Sequence, residues 1–396
     1  MMPRREFLPM LGLSALSAKP RLKITEIRLR QLKLVKKAGT LEPAWNPGGT
    51  MPFQVGGGSI VEVMTDQGLV GIGPSVPLDL IGAIKVQLLG KDPFDIEQLA
   101  PRLRYYASGP SYRGASGVDI ALWDLIGKAS NQPLYKLWGA AKEKVIPYAS
   151  MIRLSTPEER AELASRLASE GWRAIKLRLH YATMREDLRV VEAVKKAVGD
   201  RMEIMVDANQ AQSSGSWQPG ILWDLRRAVE TARELQKLGC VWLEEPLPRF
   251  AFNKLSELNR LVELPIAGGE HIRGAHEFQW MLRDGVYDVL QPESMVLEGG
   301  VTELRKIAVM AEAYGKQIVP HHGGRELGTI AHLHLVASWR HAPYVELLHD
   351  PPIGDYRHAF SVLENPPLVD GEGMIAPPQE AGLGVQIKRD LISEER

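Results

Sequence analysis

The sequence predicts an α/β protein, a closed parallel (β/α)8-type barrel behind a separate N-terminal α+β region. Three observations carry this. From about residue 140 a short apolar run and an amphipathic segment alternate, and there are eight runs. Seven consecutive runs close on an ionisable residue, as strands do when a barrel gathers its functional groups on one rim. Residues 21–70 alternate in the manner of strands and residues 80–139 have helical period, so a different unit precedes the barrel.

Residues 1–18 stand apart. Arg4-Arg5-Glu6-Phe7-Leu8 precedes a short apolar stretch, Leu8 to Ala18, broken by Pro9 and Gly12. This reads as a twin-arginine export signal, so a periplasmic location is expected, with the cytoplasm as the alternative. The segment is set aside from the fold. Residues 19–140 form the α+β unit, with Ile24, Ile27 and Leu29, then Ile60, Val61 and Val63, marking its strands. Residues 141–350 form the barrel. Residues 351–396, rich in proline and glycine, are too short for a domain and are expected to pack back on the N-terminal unit.

The eight barrel runs are Val145–Ala149, Ala174–Arg178, Ile204–Asp207, Val241–Glu244, Ile266–Glu270, Tyr287–Gln291, Gln317–His321 and Tyr344–Glu346. Between them, Leu188, Val191, Val194 and Val198 make one apolar stripe ending at Gly199. Leu225, Ala228, Val229, Ala232 and Leu235 make another ending at Gly239, and Leu304, Ile307, Ala308 and Ala311 a third ending at Gly315. These are helical faces closed by glycine caps. Thr156-Pro157-Glu158-Glu159 is a capping box with proline at the first helical position. An open doubly wound sheet would carry a phosphate-binding glycine turn after its first strand. Gly68-Leu69-Val70-Gly71-Ile72-Gly73 has the wrong spacing and no helix behind it, and Gly56-Gly57-Gly58 precedes a strand-like run.

Composition removes other classes. The 396 residues carry 48 basic and 48 acidic side chains, so no basic surface for nucleic acid is expected. A hydrophobic fraction of 44% with 24% charged residues excludes a disordered chain and a multi-span membrane protein. Cys240 is the single cysteine, which excludes an internal disulfide and a cysteine metal cluster; a buried inert thiol is expected.

The strand ends are polar. Lys176 and Arg178 close the second run, Asp207 the third, Glu244 the fourth and Glu270 the fifth. Glu293 follows the sixth, His321 ends the seventh and Glu346 the eighth. One such residue alone is more often a solvated or helix-capping charge, but the series points to one convergent site. Asp207, Glu244 and Glu270 come from adjacent strands and would repel one another without a cation. All-oxygen ligation favours magnesium over zinc. Lys176 and Arg178 lie two apart and so face the same side of their strand, suited to a substrate carboxylate. His321, across the barrel, is the proton carrier, with Glu293 to hold its ring. The assembly describes proton abstraction next to a carboxylate, whose enediolate anion needs strong electrostatic stabilisation.

At this point the chain resembles the enolase superfamily, in its mandelate racemase-like subgroup, over roughly residues 21–388. The motifs are Ser116-Gly117-Val118-Asp119-Ile120-Ala121-Leu122-Trp123-Asp124 with Lys128, Ala174-Ile175-Lys176-Leu177-Arg178 and Val206-Asp207-Ala208-Asn209. Trp242-Leu243-Glu244-Glu245-Pro246, Gly268-Gly269-Glu270, Gln291-Pro292-Glu293 and Gly299-Gly300-Val301-Thr302 follow, then Pro320-His321 and Gly382-Leu383-Gly384-Val385. The resemblance implies a modified (β/α)7β barrel under a capping domain. It implies one Mg2+ per subunit on Asp207, Glu244 and Glu270, with Glu245 pointing away. Lys176-x-Arg178 resembles the Lys-x-Lys motif, His321 the histidine of a His–Asp dyad, and Glu346 the acid that bonds the substrate carboxylate. Residues 40–58, with Trp45 and Phe53, resemble the specificity loop. Asn209 and His322 join them as expected substrate contacts, and a homo-oligomer is expected.

Three departures stand out: Arg178 for the usual lysine base, Glu293 for the dyad aspartate, and about ten extra residues near Gln210–Leu222, with Trp217 among them. His332 and His334 read as packing residues, and Arg102, Arg104, Tyr105 and Tyr106 as surface and core. The first reading is a magnesium-dependent sugar-acid dehydratase. A racemase or epimerase of a 2-hydroxy acid is second, a cycloisomerase a distant third, and an exported carboxylate-binding paralogue is the non-enzyme alternative. Arg178 favours dehydration, because guanidinium keeps its proton and a racemase needs a base on each face of the carbon.

The export signal has its own test. Changing Arg4 and Arg5 to lysine should abolish periplasmic recovery on fractionation. Unchanged periplasmic yield would rule out the twin-arginine route.

Overall fold

The computed structural model describes residues 21–107, 114–212, 221–324 and 326–393. Arg4, Arg5, Trp217 and the side chains of Tyr105 and Tyr106 lie outside that description. Five strands open the chain: β1 (Ile24–Gln31), β2 (Leu34–Leu41), β3 (Met51–Gly56), β4 (Ser59–Thr65) and β5 (Val70–Pro74). β1, β4 and β5 form an antiparallel sheet in the order β1-β4-β5. Its inner face buries Ile27, Val61 and Val63, with Ile24 beyond the bulge; Ile60, next to Val61 and so facing the other way, is buried too. Helix Ser116–Ala129 lies on that face at glycine contacts. A Cβ on Gly73 would come within 1.9 Å of the Gly117 carbonyl oxygen, so only glycine permits this approach. β2 and β3 pair separately as an antiparallel hairpin and carry Phe53.

Eight parallel strands follow: β6 (Ile146–Ser150), β7 (Ala174–Arg178), β8 (Glu203–Asp207), β9 (Leu243–Glu244), β10 (Ile266–Gly268), β11 (Val289–Leu290), β12 (Gln317–Ile318) and β13 (Tyr344–Leu348). They lie in the order β12-β11-β10-β9-β8-β7-β6-β13. The sheet closes on itself. Tyr148, Ala174, Met205, Trp242, Ala267, Val289, Val319 and Tyr344, one from each strand or its continuation, share one buried layer. Within it the rings of Tyr148 and Trp242 stand 5.7 Å apart, edge to face. Seven helices of ten or more residues join the strands, and β13 is followed only by the short helix Arg357–Phe360. This is the (β/α)7β variant of the barrel.

The helices form where the periodicity places them. Met184–Val198 buries Val190, Val191, Val194 and Val198 on one stripe. The Thr183–Glu186 capping box starts it, and Gly199, at φ +60°, ends it. Thr156 and Glu159 form the second box, before helix Pro157–Ser169. Two strands are shorter than their apolar runs. β10 stops at Gly268, because Gly269 turns the chain at φ +112°. β12 stops at Ile318, and Pro320 just beyond has no N–H to continue a ladder. Glu270 and His321 therefore stand above the ladder rather than within it.

The C-terminal segment runs back over both units. Ile375 exchanges two backbone hydrogen bonds with Val145, Leu134 N–H donates to the Gly382 carbonyl, and Lys33 N–H to the Leu391 carbonyl. Asp124 ties three parts together: it accepts from Ile72 N–H at 2.9 Å, Lys128 Nζ at 2.7 Å and Leu383 N–H at 2.8 Å. Cys240 is buried, and burial pushes its thiol up to about 12. Among the described residues no helix is long and apolar enough to cross a membrane.

Beyond β13, Asp350 joins the last strand to the first. Its Oδ2 accepts from the backbone N–H of Ile152 and of Arg153, both at 3.1 Å, and both its oxygens face the buried Arg160 guanidinium. Burial by itself would raise the Asp350 pKa, but Arg160 outweighs it and holds the group below the ordinary carboxylate value. Its stabilising contribution is therefore present above the ordinary carboxylate range and lost as the pH falls through the lowered value. Asp350→Asn should cost about 3–5 kcal/mol by leaving Arg160 buried and unpaired. Denaturant unfolding at pH 7 checks this; a loss under about 0.5 kcal/mol would contradict the assignment.

Candidate active site

Ladder register builds the site. Arg178 is level with Asp207, and Asp207 with Glu244, across neighbouring parallel strands. Side chains at equal register on the inner face of a barrel point to the same place. Glu270 and Glu293 follow from the next two strands, His321 from the seventh, and Glu346 from the eighth. All eight of the charged strand-end residues are buried or nearly so, and they meet.

Lys176 is at the centre. Its wholly buried ammonium lies 2.6 Å from Glu244 Oε1, 2.9 Å from Glu346 Oε1 and 3.6 Å from Asp207 Oδ2. Burial would lower its pKa, but those carboxylates outweigh burial and raise it. Arg178 donates to Asp207 Oδ2, to Asn209 Oδ1 at 3.1 Å, to Ser150 Oγ at 3.2 Å and to the Met151 carbonyl at 2.8 Å. Its guanidinium also lies 4.8 Å from the centre of the Trp45 ring, which brings that loop residue onto the site.

His321 is held between two carboxylates. Nδ1 lies 3.0 Å from Glu293 Oε2, and Nε2 lies 3.1 Å from Glu270 Oε2. Burial would lower the imidazole pKa, but Glu270, Glu346 and Glu293 reverse this and raise it to about 10. Burial likewise would raise Glu293, but the His321 bond and neighbouring histidines lower it to about 2. The His322 ring sits 4.1 Å from that of His321, and burial lowers its pKa to about 4. Phe53 and His322 line one cavity together with Met51, Leu348, Tyr356 and Phe360.

Among the described residues, only Glu293, His321 and His322 bring one ligand atom each within 4.8 Å of one another. The Glu293 carboxylate is already engaged, however, accepting from Met295 N–H at 2.9 Å, Gly323 N–H at 2.9 Å and His321. Asp207, Glu244 and Glu270 offer oxygen alone. Without a cation, burial and the Asp207 charge raise Glu244 to about 8. Five buried carboxylates (Asp207, Glu244, Glu270, Glu293 and Glu346) face Lys176, Arg178 and His321. The excess of negative charge fits a hard divalent cation on the all-oxygen group.

Several participants escaped the sequence reading. His271 Nε2 lies 2.8 Å from Glu270 Oε1. Gln291 and Trp242 both donate to Glu244 Oε2, at 2.7 and 3.1 Å. Adjacency to Glu270 and membership of Gln291-Pro292-Glu293 were the available signals. His332 bonds Ser294 and the His321 carbonyl, while His334 bonds the Leu383 carbonyl and Tyr135 N–H, so the pair does face different ways. Glu245 is buried at φ +44° and shares no hydrogen bond with the cluster. Arg104 pairs with Glu303 at the edge of the N-terminal unit, away from the site.

Comparison with known proteins places the chain. Residues 159–391 match the enolase C-terminal domain-like family, and residues 49–139 match the mandelate racemase / muconate lactonizing enzyme N-terminal domain. The arabinonate dehydratase of Saccharolobus solfataricus is 31% identical over 84% of this chain and 89% of its own. The D-galactarolactone cycloisomerase of Agrobacterium fabrum is 30% identical over 85% of this chain and 90% of its own. The crystal structure of the 3,6-anhydro-D-galactonate cycloisomerase from Zobellia galactanivorans superposes with a TM-score of 0.75 at 27% identity, covering 94% of this chain and all of that one. The chain belongs to the enolase superfamily, in its mandelate racemase-like subgroup, and is one of its lyases or isomerases.

Proposed function

We propose that this enzyme removes the α-proton of a sugar acid and expels water, as a magnesium-dependent acid-sugar dehydratase. The observation that carries this is the state of the two proton-handling strands. Arg178 is tied down by Asp207, Asn209, Ser150 and Met151, and a guanidinium is not a base near neutral pH. On the other side, His321 is fixed through Nδ1 by Glu293; its Nε2, paired with Glu270 in this structure, would be the atom that gains and loses a proton once Glu270 is drawn to a cation. With Arg178 standing where a second base would be, His321 is the proton carrier of this reading, which suits elimination. A racemase requires two bases.

In this reading Asp207, Glu244 and Glu270 hold Mg2+, which supplies positive charge beside the substrate carboxylate. Lys176 adds a fixed cation at the same place. Glu346 is ion-paired to Lys176, and among the described residues neither of its oxygens meets a donor at hydrogen-bonding angle, so it is available to the substrate carboxylate. Burial would raise its pKa, but Lys176 and His321 hold it well below the usual range, so it must take up a proton before donating to that carboxylate. His321 takes the α-proton and returns a proton to the departing hydroxide, which confines the elimination to one face. Asn209, Trp45, Phe53 and His322 line the remainder of the substrate's path. The names of the dehydratase relatives support the sugar acid as substrate class.

Glu270→Gln should lower turnover by at least about 10³-fold, as loss of a charged group that stabilises the transition state does, with the circular dichroism spectrum unchanged. Full turnover after exhaustive chelation would overturn the metal assignment.

His321→Asn should remove both exchange of the α-proton with solvent deuterium and product formation, by about 10²–10⁴-fold. If this variant exchanged the α-proton at the wild-type rate, the base would be Lys176, and the preference for dehydration would lose its support.

A further inference from the structure

The second barrel strand carries a third inward residue. Lys176, Arg178 and His180 alternate along one line, and the backbone bond from Leu179 N–H to the Asp207 carbonyl, at 2.9 Å, carries the ladder past Arg178. His180 thus stands one repeat above Arg178, at the mouth of the site. Its ring lies near enough to Asp207, Arg178 and Asn209 to feel all three, and Asn209 is itself the side chain that accepts from Arg178 Nη1 and donates to Asp207 Oδ2 at 3.1 Å. With the alternation, that neighbourhood puts His180 on the site side of the strand. Its Nε2 is buried and has no hydrogen-bond partner among the described residues. A native structure rarely leaves a buried ring nitrogen unused, and beside a substrate site the missing partner is most simply the substrate.

Strand β7 lies three strands from β12 around the closed barrel, through β6 and β13. His180 therefore approaches from the side away from His321. A neutral imidazole nitrogen is an acceptor in one tautomer and a donor in the other. A hydroxyl serves either tautomer, whereas a carboxylate or a carbonyl can only accept.

We propose that His180 is a specificity-determining residue whose Nε2 shares a hydrogen bond with a hydroxyl on the substrate's carbon chain, on the side opposite His321. This rests on the sugar-acid reading and narrows it: the substrate carries a hydroxyl at that place, and an analogue without it is rejected. A site built to bond a hydroxyl discriminates strongly against its absence, because the buried nitrogen then stays unpaired. The role is distinct from proton transfer, which stays with His321.

The test measures kcat/KM and α-proton exchange in deuterium oxide. The probes are five- and six-carbon aldonates and, for the fastest of them, each mono-deoxy analogue that keeps the C2 and C3 hydroxyls the elimination itself needs. Wild-type protein should prefer the aldonate over one of these analogues by about 10²-fold or more. In His180→Phe, which keeps a planar ring but no acceptor, that ratio should fall to near one. The aldonate should still exchange its α-proton in this variant, unlike in His321→Asn. His180→Gln, which returns an oxygen acceptor at similar reach, should restore part of the ratio. If His180→Phe does not fold, His180→Ala carries the same expectation. Wild-type ratios for every analogue in the folded variant would overturn the proposal. So would loss of exchange equal to that of His321→Asn, since His180 would then act only by supporting Asn209 and Asp207. Wild-type protein that exchanges the α-proton of no aldonate would sink the sugar-acid reading and this inference with it.

Discussion

The structure turns on a buried ammonium. Lys176 Nζ has no solvent contact and sits among Glu244, Glu346 and Asp207. Taking a charge out of water costs several kcal/mol, and only close opposite charges offset it. Each carboxylate around Lys176 has the same need, and one ammonium meets it only in part. Removing any one leaves the others in a low dielectric without compensation. The surplus negative charge, with Glu244 raised to about 8, is the physical demand that a divalent cation would meet.

This arrangement can exist only because the barrel forces it. Parallel strands at equal register put Arg178, Asp207 and Glu244 side by side, and closure brings β12 and β13 round to face them. Beneath the charges, the layer of Tyr148, Trp242 and Tyr344 with five smaller residues plugs the barrel. The apolar floor keeps water from the charges and so strengthens their interactions. Above them, the Trp45 ring covers Arg178, and the β2–β3 hairpin contributes Phe53 to the cavity beside His322. The bond network of Asp350 with Ile152 and Arg153 fixes the loop after β6, whose Met151 carbonyl and Ser150 hydroxyl orient Arg178.

Two histidines side by side have different environments. His321 is raised to about 10 by the carboxylates on either side, whereas His322, one residue on, is lowered to about 4 by burial and by the neighbouring His321 charge. Separation of this kind lets one ring carry protons while the other stays a neutral contact. Neither Glu293 nor Glu270 alone does this; the ring is bracketed by both.

By itself the sequence determined the strand order, the helix faces and which strand ends carry charge. Those follow from periodicity of 2 and 3.6 residues and from local caps such as Thr156 and Gly199, interactions that span only a few residues. Spacing of about one βα unit between Asp207, Glu244, Glu270, Glu293, His321 and Glu346 was enough to predict their meeting. Tertiary structure alone decided what each group touches. No local pattern says that His271 pairs with Glu270, that Gln291 and Trp242 both reach Glu244, or that Arg178 is tied to Met151 and Ser150 rather than left free. Nor does one say that Nε2 of His180 lacks a partner among the described residues. Such contacts join residues tens of positions apart, and their distances are set by register, closure and shared burial, none of which a single stretch of chain encodes.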